Sequence, residues 1–241
     1  MINTLAQLDL LACGGRTPWH RASAVGKLAF TLLLVGVAVF TPSPAVLLVL
    51  LASAVGLCLA ARLPGSLIAA AAATPLLFAA VFALAAWRGG WTDLAVRLVR
   101  PMLASLGALW LVGTTPYPDL FAPLARVLPR GVGDGLFLTY RAVFALLARV
   151  ERVVRALALR GAPGGGVRRR AAVVGEALGT VVLSGFERSQ RLYQVMLLRG
   201  HSGRICGCRH WLEFGPDDLW VAGALLWTLA ASVALWRVRL P

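Results

Sequence analysis

Residues 28–61 read LAFTLLLVGVAVFTPSPAVLLVLLASAVGLCLAA, without one charged side chain between Lys27 and Arg62. A helix rises about 1.5 Å per residue, so roughly 20 apolar residues cross the hydrocarbon core of a bilayer. The Thr-Pro-Ser-Pro insert at 41–44 is a turn signal. It divides the run into a tight helical hairpin, expected over 25–41 and 44–61. Long uncharged runs of this kind point to a bilayer and not to an oversized soluble core.

Three further runs extend the pattern. SLIAAAAATPLLFAAVFALAAW covers 66–87, with Pro75 as an expected kink. LAVRLVRPMLASLGALWLVG covers 94–113 and carries Arg97, Arg100 and Pro101 in its first half. Charge at depth is expensive, so those arginines are expected at the interface or against other protein. LWVAGALLWTLAASVALW, 219–236, is long enough to span. Composition agrees: 59% of the 241 residues are apolar and 14% charged, against about a quarter charged in soluble domains. The fold class is therefore an all-α integral membrane protein of about five transmembrane helices, with a range of four to six. The range reflects residues 171–185, apolar enough for a marginal extra span although Glu176 argues against one.

The net charge of +14 rests on 23 arginines and a single lysine, Lys27. Residues 141–210 hold 13 arginines against three acids, Glu151, Glu176 and Glu187. In a membrane protein such concentration reads as cytoplasmic. Arg16, Arg21 and Lys27 put the N-terminus on that same side, and four spans return the chain to it. Arg237 and Arg239 then fall outside, a mild violation. Nucleic-acid binding is the weaker reading, because the basic stretch is not interleaved with aromatics and holds no recognised motif. Cys13, Cys58, Cys206 and Cys208 make no disulfide framework in a chain of this length. The N-terminus lacks a basic start and carries Asp9, so a cleaved signal peptide is not expected. Trp87, Trp91 and Trp236 sit close to expected span ends, as interfacial belt residues do. The organisation expected is 1–113 for the N-terminal segment and four spans, 114–217 for a cytoplasmic region, and 218–241 for the last span.

Inside the basic region one helix ending occurs twice. RVERVVRALALRG finishes at Gly161 and RSQRLYQVMLLRG at Gly200, with corresponding positions 39 residues apart. At about 100° per residue, Arg149, Arg152, Arg155 and Arg160 share one helix face, with Arg141 beside them. Leu147, Val154, Ala158 and Leu146 are assigned to the opposite face. Arg188, Arg191 and Arg199 take the same three angles, with Val195, Leu198 and Tyr193 assigned to the opposing side. Both helices read as amphipathic with a basic stripe. Arginine near the end complements the negative end of the helix dipole, and glycine follows where helices turn left-handed to stop. A single Leu-Arg-Gly is simply a competent terminus; two in register with Arg-x-x-Arg upstream are more.

These paired endings, roughly forty residues apart after four spans, resemble the transmembrane T component of energy-coupling factor (ECF) transporters. TPWHRASAVGKL looks like that family's N-terminal segment, and TTPYPDLFAPLARV like its stretch before the coupling helices. RLYQVMLLRG is close to the cobalt and nickel branch. The sequence departs from the family at Leu159 and Leu198, where Ala is usual in the first position of the motif, and at Ser23-Ala24-Val25, where Asp-Pro-Arg is frequent.

The resemblance implies a coupling scaffold: two long crossing helices on the cytoplasmic side whose terminal arginines enter grooves of two ATP-binding subunits. Carried over, the docking residues are Arg160, Gly161, Arg199 and Gly200, supported by Arg149, Arg152, Arg188 and Arg191. It also implies a substrate-binding membrane subunit, and an accessory membrane subunit, as partners in the bacterial cell membrane. Cobalt is the implied cargo, with nickel or a vitamin as alternatives.

No Gly-x-x-x-x-Gly-Lys-Ser/Thr loop occurs. The chain is therefore expected to be a non-catalytic subunit that binds no cofactor, with ATP and Mg held by partners. A lipid-modifying enzyme is less favoured because the basic region is short of acids and His for acid–base chemistry; a secondary carrier is the third reading. His201, Cys206, Cys208 and His210 tempt a metal site, but their spacing matches no established zinc pattern. Glu151 is expected to pair with Arg155 one turn on.

Overall fold

The computed structural model describes residues 9–15, 17–41, 43–85, 91–161, 166–201 and 215–237, and all regular structure among them is helical. The helices run α1 (residues 9–14), α2 (Pro18–Arg21), α3 (Ala24–Phe40), α4 (Pro44–Ala60), α5 (Gly65–Ala85), α6 (Trp91–Thr114), α7 (Tyr117–Val127), α8 (Arg130–Leu159), α9 (Val167–Leu198) and α10 (Asp218–Arg237). They form two compact units, Met1–Pro123 with Arg209–Pro241, and Leu124–Cys208. The Thr-Thr-Pro stretch after α6 thus belongs to the first unit.

The first unit is a membrane bundle. Gly65–Phe82 and Leu94–Thr114 are long and apolar enough to cross a bilayer, and Ala24–Phe40, Pro44–Ala60 and Asp218–Ser232 are shorter apolar helices. These five segments are the expected spans. Residues 171–185 lie within α9, in the second unit, and form no candidate span. Large apolar side chains face outward on α3, α4, α5 and α10, among them Phe40, Leu59, Phe78, Phe82 and Leu226. In water such a surface would be an aggregation liability; against lipid tails it costs nothing.

Inside the bundle, Phe30, Leu34, Leu47, Leu50, Leu103 and Trp110 are almost fully enclosed. Trp110 is held edge-on by Phe30 at 5.3 Å and Trp19 at 5.9 Å between ring centroids. Small residues let α6 approach its neighbours, as is usual between helices in lipid. A Cβ at Gly107 would lie 2.9 Å from Leu34 Cδ2, and one at Gly113 2.7 Å from Leu63 Cδ2.

Backbone polarity is settled internally, as hydrocarbon demands. Pro75 has no N–H, which frees the Ala71 carbonyl one turn earlier in α5. Ser105 Oγ of α6 donates to that carbonyl at 2.7 Å, so the proline and the α5–α6 contact share one bond. Arg100, expected at an interface or against protein, lies against protein. Its Nη2 donates at 3.0 Å to the carbonyl of Thr41, the C-cap of α3.

The bundle closes around Lys27, which is 1% exposed. Its ammonium donates to the Thr114 carbonyl at 3.0 Å, Thr115 Oγ1 at 3.1 Å and the His20 carbonyl at 3.3 Å. Beside it, Asp218 Oδ1 accepts from the Ser23 N–H at 2.6 Å, and Ser23 Oγ caps α3 by accepting from Gly26 N–H at 3.3 Å. The start of α3, the end of α6 and the start of α10 therefore meet at one end of the bundle. The four helices α3–α6 finish on the side where they began.

His20 is the titratable neighbour. Burial, and then the Lys27 ammonium, lower its pKa below the ordinary imidazole value, while a bond to the Gly113 carbonyl opposes the shift. Its Nδ1 is hydrogen-bonded to Thr17 Oγ1, 2.6 Å away.

Two predictions follow from this cluster's chemistry. Lys27→Met removes the shared donor and leaves buried acceptors unpaired, at a cost of about 1–3 kcal/mol. The unfolding midpoint of the detergent-purified protein should fall, and an unchanged midpoint would contradict the bonding described. For His20, a folded-state pKa below about 6.5 gives stability that is complete above that value and lost as pH falls through the lowered one. The midpoint should drop between about pH 7 and pH 5, and drop less in His20→Gln.

Candidate functional site

The second unit is built on α8 and α9, helices of 30 and 32 residues. Leu128-Pro129 and the glycines before Val167 set their starts, since proline and glycine interrupt helical runs. Close approach fixes the α7–α8 corner: a Cβ at Gly133 would lie 2.7 Å from Ala125 Cβ and 3.0 Å from its Cα. The two long helices touch where a Cβ at Gly185 would lie 3.4 Å from Leu146 Cδ2. No residue of α9 is buried, and Val182, Leu183, Phe186, Tyr193 and Leu198 are all more than 60% exposed.

Both helices end alike. Arg160 and Arg199 occupy the C-cap positions, and Gly161 and Gly200 follow at φ +67° and +74°. In α9 the Gly200 N–H bonds to the Leu197 carbonyl at 3.0 Å and the His201 N–H to the Met196 carbonyl at 3.0 Å. This is the paired 5→2 and 6→1 closure of a Schellman motif. In α8 the Gly161 N–H bonds to the Ala158 carbonyl at 3.1 Å, the matching 5→2 bond. Each arginine thus stands at a helix end that is hydrogen-bonded shut, with its side chain exposed. Leu159 and Leu198, next to them, are 90% and 88% exposed. A guanidinium beside a bare leucine is suited to a partner groove that offers a carboxylate or backbone carbonyls beside an apolar wall.

The supporting arginines divide. Arg149 and Arg152 are exposed on α8. Arg188 and Arg191 instead join Arg141 in lining a groove between α8 and α9. Val195, Tyr193 and, on α8, Leu146 line the same groove, which corrects their assignment to the opposing sides; Val195, for one, follows Arg188 by seven residues, two turns, and so shares its face. The Glu151–Arg155 pair forms at 3.4 Å on an exposed face, a contact worth tenths of a kcal/mol. Cys206, Cys208 and His210 lie outside the described residues, as does Trp87. His201 contributes its backbone N–H to the α9 terminus. Among the described residues no group of three or more His, Cys, Asp or Glu side chains could hold a metal.

Left-handed backbone is where glycine matters, since an L-residue there costs about 1–2 kcal/mol. Gly200→Val should fray the last turn of α9 and raise amide hydrogen exchange at Leu197–His201. Gly175→Ala, at a position with open space, should leave exchange unchanged or slow it. Equal exchange in Gly200→Val and wild type would contradict the closure described.

The family profile described as "CbiQ: Cobalt transport protein" matches residues 87–207. The match takes in α6–α9 and both Arg-Gly endings, half of the chain, and the chain belongs to this family. No individual curated relative matches it.

Proposed function

Starting from a member of the cobalt transport protein family, we propose that this chain is the transmembrane coupling subunit of an ECF-type importer of cobalt ions. In this reading two ATP-binding subunits dock at Arg160 and Arg199, and a substrate-binding membrane subunit is moved by the helices that carry them. The observation that carries the proposal is the matched pair of closed helix ends, each presenting one exposed arginine at its cap.

The physical logic is mechanical. Force applied at the tip of a helix is transmitted only if the last turn does not fray, and the left-handed glycine closures prevent fraying. Arginine at the tip gives the contact direction, because its planar fork bonds a carboxylate or two carbonyls in one orientation. The chain itself has no phosphate-binding loop, so ATP and Mg belong to the partners. The basic stretch 141–210 favours the cytoplasmic side, where ATP is available.

Arg160→Glu together with Arg199→Glu should abolish co-purification of the ATP-binding subunits while membrane insertion persists. Either change alone should impair coupled uptake more than assembly, because one groove stays occupied. Undiminished ATPase binding by the double variant would overturn the docking proposal.

A further inference from the structure

The groove between α8 and α9 has a volume of about 720 Å³, within the usual range of small-ligand sites. Its apolar lining follows the helical repeat on both sides, with Leu138, Ala142 and Leu146 on α8 and Gly185, Leu192 and Met196 on α9. At its rim stand the guanidinium-bearing Arg141, Arg188 and Arg191, with the hydroxyl groups of Thr139 and Ser189. No acidic side chain is among the described residues that line it. The groove therefore combines a concentrated positive charge with an apolar trough, in a protein that lives in a bilayer. Neither Arg160 nor Arg199 takes part.

We propose that this groove binds an anionic phospholipid, its headgroup phosphate held by Arg141, Arg188 and Arg191 and an acyl chain laid along Leu138, Leu192 and Met196. Charge complementarity selects the head: three guanidinium forks suit a phosphate, and hydroxyls supply the remaining donors. Clusters of arginine on amphipathic helices attract anionic lipid headgroups. The apolar lining selects the source. A free phosphate would leave the trough wet, whereas an acyl chain covers apolar surface that is otherwise exposed, as at Leu146, Val195 and Tyr193. The inference is independent of the ATPase-docking proposal, since it needs only the chain and lipid.

The test is native mass spectrometry of the full chain released from detergent, with dioleoyl phosphatidylglycerol or dioleoyl phosphatidylcholine added. Phosphatidylglycerol should be retained and phosphatidylcholine lost. Arg141→Gln/Arg188→Gln/Arg191→Gln should weaken retention roughly tenfold or more. Arg168→Gln/Arg169→Gln/Arg170→Gln, which removes equal charge from the exposed start of α9, should not. Equal retention of the two lipids, or equal loss in the two triple variants, would overturn the site. Displacement of the lipid by inorganic phosphate would reduce it to a phosphate site and overturn the lipid assignment. A groove variant that keeps lipid but loses a co-purifying subunit would assign the groove to a protein partner. Should the groove variant fail to fold, a phosphatidylglycerol with a photoreactive diazirine in its acyl chain tests the wild type. Labelling should fall within residues 138–146 and 185–196, and labelling confined to other segments would contradict the proposal.

Discussion

A single ammonium group organises the membrane unit. Lys27 stands at the boundary of a long uncharged run, yet it is enclosed, and its three donors reach the chain before α3 and the chain after α6. An unpaired ammonium in that place would be costly, so the segments that supply its acceptors must stay in place. Asp218 extends the same junction to α10 through the Ser23 N–H. The termini of three spanning helices are thereby fixed at one end of the bundle.

The two units obey different physics. In the bundle, apolar surface faces lipid and polar backbone is satisfied inside; the Ser105–Ala71 bond and the Arg100–Thr41 bond both answer a carbonyl that a helix left open. Among the described residues of the second unit almost nothing is buried, and the helices are held by local bonds, two closed ends and close contacts that include Gly133 and Gly185. Length and amphipathicity without a core are what a pair of levers needs if partners supply the remaining contacts. Helix ends elsewhere make the comparison sharper. Arg62, after α4, also turns left-handed, at φ +57°, and its neighbour Leu63 completes the closure with a bond to the Cys58 carbonyl. That end carries strain which the glycines at 161 and 200 avoid.

Much of this was legible in the residues. Uncharged runs bounded by Lys27, Thr-Pro-Ser-Pro, Arg62 and the glycines near 90 place the five apolar helices to within a few residues, because charge and proline act locally. The repeated Leu-Arg-Gly announces two helix ends for the same reason. What escaped is tertiary. Lys27 reads as one more interfacial charge, and only its solitude among arginines hints otherwise, since its acceptors lie 87 and 88 residues away. Pro75 signals a freed carbonyl, but not that Ser105 answers it. Angle arithmetic puts Arg188 and Arg191 on one face correctly; it does not say that α8 packs against that face. The groove they share with Arg141 depends on a contact between two helices, and neither sequence alone contains it.

The central claim is that Arg160 and Arg199 are paired contact points for ATP-binding subunits. The most direct measurement is cross-linking in membranes that contain the whole transporter. Arg160→Cys and Arg199→Cys would be introduced singly, with Cys13, Cys58, Cys206 and Cys208 replaced by serine. The account predicts that a short bifunctional maleimide joins each position to an ATP-binding subunit and leaves Arg168→Cys unlinked. Absence of adducts at both positions, or adducts of equal yield at Arg168→Cys, would contradict it.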